Sequence, residues 1–83
     1  MRIQIRYFAS LREALGPSEG VDWSGPCTVG QLRQSLVDRG GRHADLLGPQ
    51  RAVRCAVNQV LAATDDLIPE GAEVAFFPPV TGG

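Results

Sequence analysis

The segment Thr28-Val29-Gly30-Gln31 limits the fold of this chain more than any other. A Thr followed three residues later by Gln fits a capping box. The Thr28 hydroxyl and the Gln31 amide then each satisfy a backbone donor that the first helical turn leaves open. Cys27 before the cap and Leu32 four positions into the helix are placed for a hydrophobic staple. Val29, Leu32 and Leu36 recur on one face at helical spacing, and that face needs an apolar surface to cover. Arg39 suits the negative end of the helix dipole, and Gly40-Gly41 supplies the stop. One such helix has no core of its own, so the rest of the chain must bring a sheet to it.

Strand-like patterns supply that sheet. Arg2 to Phe8 alternates, with Ile3, Ile5 and Tyr7 on one face and Arg2, Gln4, Arg6 and Phe8 on the other. Ala9 to Leu15 predicts a short helical turn closed by Gly16-Pro17, and Val21-Asp22-Trp23 a weak second strand. Beyond the main helix, Ala44 to Leu47 adds a further turn before Gly48-Pro49. Val53 to Val57 reads as a strand, Asn58-Gln59 as a turn, and Val60-Leu61 as a short continuation. Asp65 to Glu70 is a turn region, and Glu73 to Phe77 the final strand. The order is strand, strand, helix, strand, short strand, strand. No repeat or linker divides it, so the expectation is one α+β domain over residues 1–83 with 78–83 as a flexible tail.

At 83 residues the chain buries only about 60% of its unfolded surface, so each core residue matters. Net charge is −1, which gives no footprint for nucleic acid or anionic membrane. Arg2, Arg6, Arg12 and Glu13 interrupt the first residues, leaving no signal-peptide h-region, and no apolar run approaches the roughly 20 residues of a membrane span. A cytoplasmic protein is expected. Cys27 and Cys55 match no zinc or redox spacing and read as reduced and buried. His43 has no partners at ligand spacing and reads as a surface helix residue; no metal is expected. Asp65-Asp66 read as turn residues, Trp23 as packing near a sheet edge, and Arg6, Arg12, Arg51 and Arg54 as solvated surface. All eight cationic side chains are arginine. A GC-rich coding preference favours that choice, and whatever its origin it leaves the chain without a side-chain amine.

The ending Phe76-Phe77-Pro78-Pro79-Val80-Thr81-Gly82-Gly83 makes the terminal carboxylate the candidate reacting group. Pro78 and Pro79 carry no N–H and cannot extend a ladder, and their fixed φ favours a stiff, extended exit. Gly82 and Gly83 lack a Cβ and can pass a channel too narrow for a side chain. Six residues from Pro78 reach roughly 20 Å when extended. In the last strand Glu73, Ala75 and Phe77 share a face opposite Val74 and Phe76. If the first and last strands are neighbours, Phe8 and Phe77 form one exposed aromatic patch, with Leu61 a lesser member, and such patches mark partner surfaces.

The element order and Gly-Gly ending resemble the ubiquitin-like β-grasp fold, a mixed sheet of about five strands on one main helix with a protruding tail. Tyr7-Phe8-Ala9 with Leu11-Arg12-Glu13, Val57-Asn58-Gln59, and Val74 to Gly83 together resemble the small subunits of molybdopterin synthase. That resemblance implies a sulfur carrier and a sulfurtransferase subunit. An adenylyltransferase related to ubiquitin-activating enzymes would use ATP to adenylate Gly83. A sulfur donor protein would leave a thiocarboxylate in place of AMP. The tail, Pro78 through Gly83, would then enter a large subunit within a heterotetramer of two small and two large subunits. There two sulfur transfers would turn cyclic pyranopterin monophosphate into the dithiolene of molybdopterin. The chain itself would bind no cofactor: Gly40-Gly41 follows a helix and lacks a Walker lysine, so ATP belongs to the activating enzyme. The same fold also serves as sulfur carrier for thiamine thiazole synthesis, as a protein modifier, or as a non-catalytic interaction module. Chains for thiazole synthesis are usually shorter and lack the Phe-Phe-Pro-Pro-Val-Thr ending.

Overall fold

The computed structural model describes residues 1–79. Strand β1 (Arg2–Tyr7) leads into α1 (Ala9–Leu15) and β2 (Ser18–Asp22). Helices α2 (Val29–Val37) and α3 (Gly41–Leu47) follow, then β3 (Arg54–Val57), β4 (Val60–Leu61) and β5 (Glu73–Phe77). The five strands form one mixed sheet in the order β2-β1-β5-β3-β4. Only β1 and β5 pair in parallel; every other neighbour is antiparallel. This is the β-grasp arrangement, with α2 as the main helix across one face.

The capping box forms in full. Thr28 Oγ1 accepts from the Gln31 N–H at 3.1 Å, and Gln31 Oε1 accepts from the Thr28 N–H at 2.9 Å. Val29, Leu32 and Leu36 are buried, and Cys27 joins them in the same cluster. The sheet answers with Ile3, Ile5 and Tyr7 from β1 and Val74 and Phe76 from β5, all at most 1% exposed. Alternation does this directly, because successive side chains of a strand point to opposite faces.

Three elements depart from the sequence reading. Strand β2 begins at Ser18 rather than Val21, and Trp23 lies outside it. Pairing with β1 draws the polar Ser18-Glu19-Gly20 stretch into the ladder, from Arg2↔Asp22 to Arg6↔Ser18. The exposed Arg2 guanidinium lies over Gly20, 2.7 Å from where a Cβ would sit, and can swing aside because it is the free end of a flexible side chain. Gly40 does end the α2 segment, with φ of 77°, but Gly41 opens α3 instead of extending the stop. Arg39 sits beyond the last turn of α2, and its guanidinium pairs with Glu19 at 2.8 Å rather than with the helix end.

The hairpin at Asn58-Gln59 forms where expected. Both residues take left-handed φ, 49° and 69°, as a two-residue turn matching strand twist requires. Asn58 Oδ1 accepts from the Glu73 N–H at 3.0 Å, tying the hairpin to β5. Arg33 fastens the α3–β3 connection by donating to the carbonyls of Leu47, Gly48 and Arg51. Trp23 packs against the core margin, and its backbone N–H donates to Met1 O at 2.8 Å.

Candidate functional site

The parallel β1–β5 pair fixes the outer face of the sheet. Gln4 stands opposite Glu73 and Arg6 opposite Ala75. Phe8 is already the N-cap of α1, yet its φ and ψ of −125° and 157° are extended and its N–H donates to Phe76 O at 3.1 Å. The ladder therefore runs one residue past Tyr7 and brings Phe8 level with Phe77. Phe8 is 39% exposed, and the Arg6 guanidinium lies 5.6 Å from its ring centroid, at cation–π distance. Ala9 then turns the chain away with φ of 53°.

On the other side of β5, Arg54 faces Phe77 and Ala56 faces Ala75. Leu61 of β4 is the partner of Ala56 and is 66% exposed. One row across the face therefore reads Leu61, Ala56, Ala75, Arg6, and the next reads Arg54, Phe77, Phe8. The two alanines make a low centre between taller side chains. Phe77 is half-buried rather than fully exposed, as are Pro78 and Pro79, which lie in no regular element. Phe8, Leu61 and Phe77 are thus brought onto one face, at the end where β5 stops. Val80, Thr81, Gly82 and Gly83, the remaining residues expected to act, lie outside the described residues.

The two cysteines offer no competing nucleophile. Both are free and buried. Burial pushes the Cys55 thiol up to about 11, only partly countered by Arg33, and burial also raises Cys27. The reactive form of a cysteine is its thiolate, so both are inert near neutrality.

Two features have no clear signal in the sequence. Tyr7, on the inner face, donates its hydroxyl to Glu19 Oε2 at 2.8 Å, while Arg39 holds Oε1 and His43 Nε2 lies 3.6 Å from Oε2. His43 also stands edge-on to the Tyr7 ring at 6.5 Å, so it is not the plain surface residue expected. Burial and the hydrogen bond to Glu19 raise the Tyr7 hydroxyl far above its usual range. For Glu19, burial works upward, but hydrogen bonds from Tyr7 and Arg39 outweigh it and hold the carboxyl below its usual range. A buried tyrosine needs a partner for its hydroxyl, which was the available clue, but nothing in the spacing named Glu19. The second feature is a groove of about 650 Å³ between α2 and the β3–β4 edge, lined by residues including Val29, Val37, Val53, Cys55 and Phe76. No three His, Cys, Asp or Glu side chains gather for a metal among the described residues, and no helix there is long and apolar enough to cross a membrane.

The model of the ThiS family matches residues 5–83. The chain is 40% identical over 81 residues to the molybdopterin synthase sulfur carrier subunit of Escherichia coli, covering 98% of this chain and 99% of that one. It is 34% identical over 85 residues to the subunit of the same name from Mycobacterium tuberculosis, covering 100% and 99%. Among solved structures, SAMP1 from Haloferax volcanii superposes over the whole of both chains with a TM-score of 0.78 at 29% identity.

Proposed function

This chain belongs to the ThiS family, and from that membership we propose that it is the sulfur-carrier small subunit of a molybdopterin synthase. The observation that carries the reading is the outer face. Phe8 and Phe77 stand level on adjacent strands and Leu61 completes the patch, at the end where the chain leaves β5 toward Gly82-Gly83. A large subunit docks on that face and receives Pro78 through Gly83 in its active site. An adenylyltransferase docks on the same face at another time, since one tail enters one site. ATP binds to that enzyme, and the protein works in the cytoplasm.

The chemistry follows from the terminal carboxylate. A carboxylate is a poor electrophile, so an oxygen of Gly83 first attacks ATP and releases pyrophosphate, giving an acyl-adenylate. A sulfur nucleophile delivered by a donor protein displaces AMP and leaves a thiocarboxylate. Its charge is delocalised over sulfur and oxygen, so it is ionised near neutrality and nucleophilic through sulfur, as thiolates are. Burial of the tail keeps water from the activated acyl group. In each of two such transfers the sulfur bonds to a carbon of cyclic pyranopterin monophosphate, and water then cleaves its bond to the Gly83 carbonyl and restores the carboxylate. The two sulfurs left behind form the dithiolene of molybdopterin. Side chains that move protons come from the large subunit, because the tail offers only the Thr81 hydroxyl.

The names of the curated relatives favour this reading over a carrier for thiazole synthesis or a protein modifier. The test is incubation of the thiocarboxylated chain with the large subunit and pyranopterin, with molybdopterin formation as readout. No molybdopterin from a fully loaded chain would sink the reading. Isopeptide adducts on lysines of other cellular proteins would point to a modifier instead.

A further inference from the structure

The sequence contains no lysine, and the register shows where its arginines sit relative to the end of β5. Arg54 is exposed and is the partner of Phe77 on β3. Arg51, also exposed, precedes it by three residues. Arg12 is exposed on α1, one turn after Phe8, whose N–H donates to Phe76 O. Six residues follow Phe77, a contour of at most about 21 Å, which is several times the spacing of about 4.8 Å between paired strands that separates Phe77 from Arg54. The Met1 ammonium is placed differently. It donates to Trp23 O at 2.6 Å. Because β1 and β5 run parallel, it lies at the far end of the sheet, about 23 Å of strand from the level of Phe8.

Lysine and arginine differ chemically at this point. An ammonium of pKa about 10.4 releases enough free amine near neutrality to attack an activated acyl group. A guanidinium stays protonated and delocalised and does not attack. We propose that arginine in place of lysine around the β5 exit keeps the activated C-terminus from acylating its own domain, with position 54 the most exposed to that reaction. This rests on the reading above that the terminal carboxyl is activated. In the reaction avoided, an amine nitrogen bonds to the Gly83 carbonyl carbon, the bond to AMP breaks, AMP leaves, and a proton passes to solvent. The product is an amide that can no longer take sulfur. An amine tethered this close would act at a roughly millimolar effective concentration. Other copies of the chain offer no side-chain amine either.

The test has two arms. The first uses the full chain prepared as a C-terminal thioester, which is an acyl donor without any activating enzyme. At mildly alkaline pH an amine would bond to the same carbonyl, the C–S bond would break, and the thiol would leave. Intact mass should show the wild type giving only the free acid. Folded Arg54→Lys should give a product lighter than the free acid by one water, at least tenfold above wild type and at a rate independent of protein concentration. Arg12→Lys should do so to a lesser extent. Only free acid from both folded variants, or equal amide from the wild type through Met1, would overturn the inference. The second arm is ATP–pyrophosphate exchange by the wild type with its activating enzyme. Absence of exchange would sink the carrier reading, and the protective role with it, whatever the thioester arm shows.

Discussion

On β5, Val74 and Phe76 are completely buried, whereas Glu73, Ala75 and Phe77 alternate with them and keep part of their surface in water. The same holds on β1, where Ile3, Ile5 and Tyr7 are buried and Arg2, Gln4 and Arg6 are exposed. Adjacent residues of one strand thus meet opposite demands. The inner set meets α2 and determines whether the domain folds. The outer set makes little core and is available for recognition. A slip of one residue would exchange the two sets, so the burial that fixes the fold also fixes which side chains a partner meets.

The sharpest contrast lies between two neighbouring phenylalanines. Phe76→Ala should cost about 3–5 kcal/mol, because it empties a fully buried aromatic site. A domain of this size has only about 4–12 kcal/mol in all, so the variant should be close to unfolding in chemical denaturation. Phe77→Ala should cost less than about 1.5 kcal/mol in the same assay. Equal losses would break the distinction between the faces.

The next effect is expected at neither face. One residue appended after Gly83 should lower molybdopterin formation about a hundredfold or more while binding to the large subunit persists. The extra residue shifts the reacting carboxyl by up to about 3.5 Å, and misplacement by even 1 Å can cost about a hundredfold. Mass must first show that the extension is uncleaved. Near-normal turnover by the extended chain would mean that the terminal carboxyl does not carry the sulfur.

Phe77→Arg tests the outer face itself. The variant should fold normally yet bind the large subunit and the activating enzyme about 30-fold more weakly, the loss of an anchor contributing about 2 kcal/mol. Unchanged affinity in a titration of the folded variant would remove Phe77 from the interface.

The smallest effect concerns the inner side and its pH dependence. Glu19 is held below its usual range in the fold, so its contribution is present above the unfolded pKa and is lost as pH falls through the folded one. Wild type should therefore exceed Glu19→Gln in stability at neutral pH, with the gap closing in acid. A gap that stays constant from neutral to acidic pH would show that Glu19 acts by packing alone. Sulfur transfer should be unchanged, since this cluster lies on the face away from Phe8 and Phe77.

Much of this division is legible in the sequence, because parity survives any register that keeps Ile3, Ile5, Val74 and Phe76 buried. The Thr28 cap and the Asn58-Gln59 turn are local chemistry and are equally readable. What escapes depends on partners distant in the chain. The polar start of β2 is a strand only because β1 lies beside it. Glu19 finds Tyr7 twelve residues back, and Arg39 and His43 farther along, through the fold alone. The groove beside Cys55 is a space between elements, and no residue pattern encodes it.

In the proposed reaction Gly83 carries the sulfur while the folded body serves to present it. The most direct measurement is peptide-resolved mass after incubation with the activating enzyme, ATP and a sulfur donor. One oxygen of the C-terminal peptide should be replaced by sulfur, with Cys27 and Cys55 unmodified, since burial keeps both thiols protonated. Sulfur found on Cys27 or Cys55, with the C-terminal peptide unchanged, would contradict it.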